Sequence, residues 1–176
     1  MKKTAVLISG YSGAGKSTLR TELAKRTGWA NASFGDEVRR QAKLRGLDET
    51  DISVLQDLGQ SLVEEDALAL CLRTANSAGF TFANSFLLDG IRHVVVLNEL
   101  SKLAGPERTL HVHMVTDSAE RQRRLAKRGV NPRSQHPVEG DVDRLANLAD
   151  LVLDGTIDLD ENVQQVLNRL ESTEQR

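Results

Sequence analysis

The stretch Gly10-Tyr11-Ser12-Gly13-Ala14-Gly15-Lys16-Ser17 decides how this sequence folds. It fits the pattern Gly-x-x-x-x-Gly-Lys-Ser/Thr at every fixed position. The apolar residues 4–9 precede it, and residues 17–27 follow it with Leu19 and Leu23 at helical spacing. A short β-branched run that ends in glycines is typical of a buried parallel strand. The pattern therefore predicts a strand, a glycine-rich loop and a helix in succession.

This loop has the chemistry of a phosphate site. Its glycines allow several backbone N–H groups to point at one anion, and the following helix adds its positive N-terminal end. Lys16 supplies a cation for the β- and γ-phosphates, and the Ser17 hydroxyl is placed to ligate Mg²⁺. The expected nucleotide-binding residues of the loop are Gly10, Ser12, Gly13, Ala14, Gly15, Lys16, Ser17 and Thr18. Because kinases, GTPases and ATPases share such a loop, it predicts a nucleoside triphosphate but not the reaction.

The composition narrows the remaining classes of protein. The chain has 176 residues, of which only 3% are aromatic, and a net charge of −2. This length suits a single domain, and the charge and scarce aromatics argue against a nucleic-acid polymer as partner. The first apolar run is too short for a secretory signal, and no run approaches the roughly 20 residues of a membrane span. We therefore expect a cytoplasmic protein without a membrane partner, with its single Cys71 reduced.

Apolar runs and helical periods alternate along the chain, which predicts a three-layer α/β fold with a mainly parallel sheet. The expected strands are residues 4–9, 85–88, 109–115 and 151–153. The expected helices are residues 17–27, 36–45, 51–78, 94–103, 119–127, 142–149 and 161–170. Gly59 is a candidate break within the longest helix, and Asp89-Gly90 is expected to close the second strand as a turn.

Four further segments resemble the small P-loop kinases of the adenylate kinase and nucleoside monophosphate kinase group, including its AAA-type members. The first is Ser33-Phe34-Gly35-Asp36-Glu37-Val38-Arg39, similar to the Gly-Asp-x-x-Arg stretch that begins their acceptor-binding region. The resemblance implies that Asp36 and Arg39 bind the acceptor, since a planar guanidinium grips phosphate in a bidentate manner. The alternative is a helix N-terminus at Asp36 with Arg39 on a solvated face.

The second segment is Leu87-Leu88-Asp89-Gly90-Ile91-Arg92, similar to the Asp-Gly-Phe-Pro-Arg segment of adenylate kinases with one residue fewer. The resemblance implies that Asp89 is the acid near Mg²⁺, acting through water. It also implies that Arg92 is a second ligand of the acceptor phosphate. A plain strand-ending Asp-Gly turn is the alternative.

The third segment, residues 117–129, resembles the helix that leads into the lid of these kinases. Arg121, Arg124 and Arg128 share one helical face. The resemblance implies that Arg121 and Arg124 bind the triphosphate, and that Arg124 and Arg128 stabilise charge on the transferring group. A solvated basic face is the alternative. The fourth segment, Ala149-Asp150-Leu151-Val152-Leu153-Asp154-Gly155, looks like the late strand after which the backbone lies near the adenine.

Taken together, the resemblance implies one P-loop kinase domain over residues 1–176, with the three-layer P-loop NTPase fold. A helical acceptor-binding insert would occupy about residues 33–80, and a short lid about residues 128–140. The implied activity is transfer of the γ-phosphoryl group of ATP, with Mg²⁺, to a small phosphorylated acceptor, first of all a (deoxy)nucleoside monophosphate. Lys16, Asp89, Arg124 and Arg128 would be catalytic, and Ser17 and Asp89 would hold the metal. Two alternatives remain open. One is a different small-molecule kinase, such as dephospho-coenzyme A kinase, and the other is an ATPase or nucleotide-binding switch that acts through a partner.

Two histidines alternate along the third expected strand. His111 and His113 therefore face the same side of the sheet. Such a pair could ligate a metal ion, but no third ligand has a suggestive spacing. Structural packing is the favoured interpretation of both side chains.

Overall fold

The computed structural model describes residues 3–129 and 140–174. Five strands form one sheet, in the order β2-β3-β1-β4-β5. They are β1 (Ala5–Gly10), β2 (Ala30–Ser33), β3 (Phe86–Ile91), β4 (Thr109–Val115) and β5 (Leu151–Asp154). Every pairing between them is parallel. The predicted parallel α/β sheet is confirmed.

Helices cover both faces of this sheet. They are α1 (Lys16–Thr27), α2 (Phe34–Leu44), α3 (Ile52–Ser77), α4 (Val94–Ala104), α5 (Ser118–Lys127), α6 (Gly140–Asn147) and α7 (Leu159–Glu174). Leu7 and Leu88 belong to an apolar cluster with α2, α3 and α4, whereas Ile8 and Leu87 belong to a second cluster with α1 and α7. The alternation of these strand residues builds the three layers. Within the described ranges, no helix is long and apolar enough to cross a membrane.

Strand β2 is absent from the sequence prediction. The strand has only four residues, Ala-Asn-Ala-Ser, and none of them has a branched apolar side chain. It forms because Ala30 to Ser33 pair in parallel register with Phe86 to Asp89 of β3. A partner strand therefore imposes the extended conformation that the local sequence does not favour.

Strand β3 continues through Asp89 and Gly90, so the prediction of a closing turn there is wrong. Asp89 is paired with β1 in normal register, but Ser9 lies opposite Ile91, which leaves Gly90 as an extra residue in β3. Gly90 has a φ of +86°, and a Cβ atom there would meet the first residues of α2 at 3.4 Å. The positive φ favours glycine at this β-bulge.

The long helix α3 is interrupted at Asp66, not at Gly59. Asp66 has φ −169° and ψ 98°, and its side chain accepts a hydrogen bond from the backbone N–H of Ala69 at 2.8 Å. It therefore acts as the N-cap of a second helical half. Gly59 lies inside the first half, where a Cβ atom would meet Val38 of α2 at 3.6 Å. Because 3.6 Å is an ordinary van der Waals distance, a side chain would fit there, and the helix simply tolerates this glycine.

Candidate active site

The phosphate loop leaves the carboxyl end of the central strand β1 and ends at the first residue of α1. Gly10 closes β1, and a Cβ atom there would lie 2.4 Å from the Met114 carbonyl oxygen. Gly15 precedes the helix with a φ of +102°. Lys16 is buried, and its Nζ donates to the carbonyl oxygens of Gly10 and Tyr11, both at 2.6 Å. The ammonium group therefore lies across the phosphate loop, at which it is predicted to contact the β- and γ-phosphates.

The turn after β5 supports this loop from behind. A Cβ atom on Gly155 would lie 2.3 Å from the carbonyl oxygen of Ala14 and 2.3 Å from Oγ1 of Thr116. Gly155 donates its backbone N–H to Val115 at 2.7 Å, and the Thr116 hydroxyl donates to the Ala14 carbonyl at 3.2 Å. The fourth resembling segment thus ends in direct contact with the phosphate loop.

One cavity of about 290 Å³ connects the phosphate loop with the inner side of α2, α3 and α4. Its polar lining includes Ser12, Lys16, Ser17, Arg39, Gln56, Gln60, Asp89, Arg92, His93 and Arg128. Residues that the sequence assigns to donor and acceptor therefore line a single space. Asp36, which the resemblance groups with Arg39, is not part of this lining. Both side chains are largely exposed and form an ion pair of 3.2 Å along α2.

Asp89 fits the predicted metal site. Its side chain is 1% exposed, yet neither carboxylate oxygen accepts a hydrogen bond from any residue that the structure describes. Carboxylate oxygens that have no hydrogen-bond donor suit the water shell of Mg²⁺, which usually keeps several waters. Ser17 is exposed on the wall of the same cavity. These two residues would hold the ion, the aspartate through water.

Arg20 is a neighbour of Asp89 that the sequence analysis misses. Its Nε lies 3.3 Å from Oδ2 of Asp89, and its Nη1 donates to Asn31 of β2 at 2.9 Å. Arg20 lies three residues after Ser17, one turn along α1. Helical spacing from the motif is therefore the signal that could have found it.

Arg92 directly contacts the phosphate loop. Its Nη2 donates to Oγ of Ser12 at 2.7 Å. The guanidinium thus lies where the donor end of the cavity meets the acceptor end. Arg39 lines the cavity farther along, on α2. The missing residue of the Asp-Gly-Ile-Arg segment has therefore not moved Arg92 away from the site.

The three arginines of the basic helix have different neighbours. The Arg121 guanidinium lies 4.3 Å from the centre of the Tyr11 ring. Arg124 donates to the Gly13 and Gly155 carbonyl oxygens at 3.4 and 2.8 Å. Arg128 lines the cavity. The first two arginines therefore brace the loop from outside, and their predicted contacts with a triphosphate stay predictions. Most of the predicted lid, residues 130–139, lies outside the described ranges.

The sequence analysis also misses a hydrogen-bonded network of Glu64, Gln60 and His93, of which Gln60 and His93 line the cavity. Gln60 donates its amide N–H to Glu64 at 2.7 Å, which turns the amide oxygen of Gln60 toward Nε2 of His93 at 2.8 Å. Because an amide oxygen only accepts, His93 Nε2 must carry a proton. No sequence motif marks this network, because Gln60 and Glu64 belong to α3 whereas His93 lies at the start of α4.

His111 and His113 form a buried cluster with Ser9. The Ser9 Oγ lies 2.7 Å from Nε2 of His111 and 2.8 Å from Nδ1 of His113. Burial lowers the pKa of both histidines, and the pKa of His113 falls to about 4. Within the described ranges, no group of three or more potential metal-ligating side chains exists. This hydrogen-bonded arrangement agrees with the favoured structural interpretation of the pair.

Comparisons with known proteins show the family of this chain. A family model described as an AAA domain matches residues 6–147. An adenylate kinase from Clavibacter michiganensis subsp. michiganensis is 33% identical over an alignment of 129 residues, and this alignment covers 71% of this chain. The chain spans 64% of the length of that curated relative.

Solved structures of kinases share the fold. Shikimate kinase from Acinetobacter baumannii aligns with a TM-score of 0.67 and 16% identity, over 99% of this chain and 97% of the other. A gluconokinase from Sinorhizobium meliloti 1021 aligns with a TM-score of 0.61 and 14% identity, over 97% of this chain and 93% of the other. The predicted resemblance to the small P-loop kinases is confirmed in family and fold. The chain belongs to the AAA-domain family and has the fold of the P-loop kinases.

Proposed function

We propose that this protein is an ATP-dependent phosphotransferase that acts on a small phosphorylated acceptor, first of all a nucleoside monophosphate. One observation carries the proposal: the phosphate loop and both predicted acceptor arginines, Arg39 and Arg92, line one cavity. A cavity shared by donor and acceptor allows direct transfer, because positioning of the two phosphates supplies most of the catalysis. The identity to an adenylate kinase supports the same activity.

On the donor side, the loop amides and Lys16 bind the triphosphate. The Lys16 ammonium donates hydrogen bonds to the Gly10 and Tyr11 carbonyl oxygens. The β- and γ-phosphates offer it stronger, charge-assisted partners, so it turns toward them on binding. Ser17 and Asp89 would hold Mg²⁺, which when bound neutralises charge on the β- and γ-phosphate oxygens.

On the acceptor side, Arg39 and Arg92 orient an anionic phosphate toward the γ-phosphoryl group. An acceptor phosphate is already an anion at neutral pH, so no general base is required. Arg92 lies against Ser12 of the phosphate loop at 2.7 Å, which fits a side chain that contacts acceptor and donor together. The two arginines therefore reduce the repulsion between two phosphate groups that must approach each other.

The far wall of the cavity favours a base over a polyhydroxyl acceptor. Its apolar residues are Phe34, Val38, Ile52, Leu55, Val63 and Val96, and its amides are Gln56 and Gln60. A flat ring with a few hydrogen-bonding edges suits aliphatic walls and two amides. A sugar or shikimate, the acceptors named for the structural neighbours, carries hydroxyl groups that these aliphatic walls would leave without partners. The second candidate function is phosphoryl transfer to a hydroxyl group, for which the buried Asp89 would act as the base.

The acceptor is tested by coupling ADP release to a panel of substrates. The panel contains the nucleoside monophosphates, dephospho-coenzyme A, shikimate and gluconate, with a reaction lacking acceptor as the baseline. We expect a nucleoside monophosphate to stimulate ADP release, with the product confirmed by mass spectrometry. Equal rates with every acceptor and with none would contradict the proposal and favour an ATPase or switch.

Two substitutions separate donor from acceptor binding. Arg92→Ala should lower kcat/KM for the acceptor by about 100-fold, because a charge-assisted hydrogen bond contributes about 1.5–3 kcal/mol, while ATP binding persists. Lys16→Ala should weaken ATP binding itself. Arg45→Ala is the matched control, since Arg45 is an arginine of the same region that pairs with Glu65 outside the cavity. An Arg92→Ala enzyme with unchanged acceptor kinetics would refute the assignment.

A further inference from the structure

The ion pair between Arg20 and Asp89 is unusually buried for its place beside a nucleotide site. The side chains are 14% and 1% exposed, and Nε lies 3.3 Å from Oδ2. A buried carboxylate that lacks a counter-charge is costly, and removing one partner of such a pair strongly destabilises a protein. Arg20 therefore supplies the charge balance that allows Asp89 to stay buried at the end of the cavity.

Arg20 is itself held in place. Its Nη1 donates to Oδ1 of Asn31 at 2.9 Å, so the guanidinium connects α1, β2 and β3. It does not line the cavity. An arginine with this environment can act on a ligand only through Asp89.

Asp89 is among the residues that line the cavity, and the hydrogen-bonding capacity of its carboxylate is unused. Neither of its oxygens accepts a hydrogen bond from the residues that the structure describes, although Oδ2 faces Arg20. The ion pair thus fixes the direction of the carboxylate without occupying its hydrogen-bonding capacity. Metal sites use such neighbouring groups to orient their ligands.

We propose that Arg20 is a positioning residue that orients and charge-balances Asp89 for the metal of Mg·ATP. The proposal rests on the proposed function, because it takes Asp89 as the residue that holds the ion through water. Arg20 would contribute to the affinity gained when Mg²⁺ accompanies ATP, and not to the affinity for ATP alone.

The test compares the affinity for a non-hydrolysable ATP analogue in Mg²⁺ and in EDTA, measured by calorimetry. The ratio of the two dissociation constants is the metal enhancement. Arg20→Gln should reduce this enhancement by about 10-fold, within the range for residues that support metal ligands, and should leave the EDTA value unchanged. Arg20→Lys, which keeps the charge, should retain most of the enhancement. Arg26→Gln is the control, since Arg26 lies on the same helix and pairs with Glu22 at the surface.

A double substitution tests whether Arg20 acts through Asp89. In an Asp89→Asn background, Arg20→Gln should cause no further loss of enhancement. The double variant should also unfold less readily than Arg20→Gln alone, whose unfolding equilibrium constant we expect to rise by about 100-fold or more. The double variant removes both charges and so keeps the test available if the single variant does not fold.

Results that contradict the role of Arg20 can be distinguished from results that contradict the proposed function. Arg20→Gln overturns the proposal if it preserves the enhancement, weakens binding equally in Mg²⁺ and EDTA, or loses as much again in the Asp89→Asn background. An Asp89→Asn protein that keeps the full enhancement contradicts the metal site of the proposed function, and Arg20 loses its role with it. Absence of analogue binding by the unmodified protein contradicts the nucleotide site as a whole.

Discussion

At the scale of single residues, the cluster of Ser9, His111 and His113 has one arrangement of protons. Nδ1 of His111 lies 3.2 Å from the Leu148 carbonyl oxygen, which can only accept, so Nδ1 carries the proton of neutral His111. Nε2 of His111 must then accept from the Ser9 hydroxyl, and the Ser9 oxygen accepts from Nδ1 of His113. Neutral His111 and neutral His113 therefore satisfy every hydrogen bond of the cluster, with Nε2 of His111 as the acceptor.

This cluster makes stability depend on pH. Burial, the nearby His111 and Lys16 lower the pKa of His113 from 6.5 to about 4. Below pH 6.5 the unfolded chain binds a proton that the folded chain does not, so stability falls from about pH 6.5 to about pH 4. The loss attributable to His113 is about 3 kcal/mol. His111, whose pKa is also lowered, adds a loss of the same sign.

The substitution His113→Asn tests this dependence, because an asparagine N–H can replace Nδ1–H at Ser9. Urea denaturation between pH 7.5 and pH 4.5 should show a shallower fall in the free energy of unfolding for the variant. Above pH 7 the difference between the two proteins should be constant, which serves as the internal control. Parallel curves down to pH 4.5 would contradict the assignment.

At the scale of elements, α3 consists of two helices that meet at Asp66. The second half packs into the core through Leu70, Cys71 and Ala75, and burial raises the pKa of the Cys71 thiol to about 12. Asp66→Ala removes the hydrogen bond to the Ala69 N–H and should destabilise the protein by about 1 kcal/mol, as measured by chemical denaturation. Glu65→Ala is the neighbouring control, since its exposed ion pair with Arg45 contributes little. Equal stability of Asp66→Ala and the unmodified protein would exclude an N-cap role.

The elements also show where prediction from the sequence succeeds. Strands β1 and β4 are predicted because their branched apolar residues are buried on both faces. Strand β2 and the bulge at Gly90 are missed because pairing with a neighbouring strand, which a local pattern does not contain, determines them. Gly59 misleads because a helix tolerates an isolated glycine, so the residue type alone does not mark a break.

At the scale of the whole molecule, the phosphate loop and Arg92 follow the carboxyl ends of the neighbouring parallel strands β1 and β3. The motif residues can be located from the sequence because one short segment contains them, and Arg39 and Arg92 can be located because their segments resemble those of the family. The acceptor roles of these two arginines stay predictions.

Gln60 and His93 cannot be located from the sequence in this way, because only the packing of α3 against α4 brings them together. Arg20 could have been found from its helical spacing after Ser17, but its ion pair with Asp89 depends on the packing of α1 against β3. Contacts between elements thus account for most of what the sequence analysis missed.

A shared cavity predicts combined stabilisation by two ligands. At about 100 times its dissociation constant, a non-hydrolysable Mg·ATP analogue should add about 2.7 kcal/mol and raise Tm by about 5–10 °C. A nucleoside monophosphate that binds the acceptor side should raise Tm further in a thermal-shift assay. Lys16→Ala should abolish the first shift. A monophosphate that competes with the analogue instead of adding to it would contradict two adjacent subsites.

The contact between Gly155 and the phosphate loop has a consequence for inherited variation and for engineering. The loop rests on a glycine that is far from it in sequence and that directly follows β5. In a saturation library, alanine and every larger side chain at position 155 should push on the Ala14 carbonyl and reshape the loop while β5 stays paired. Such variants should fold, express and fail to bind nucleotide, and a screen for solubility alone would pass all of them.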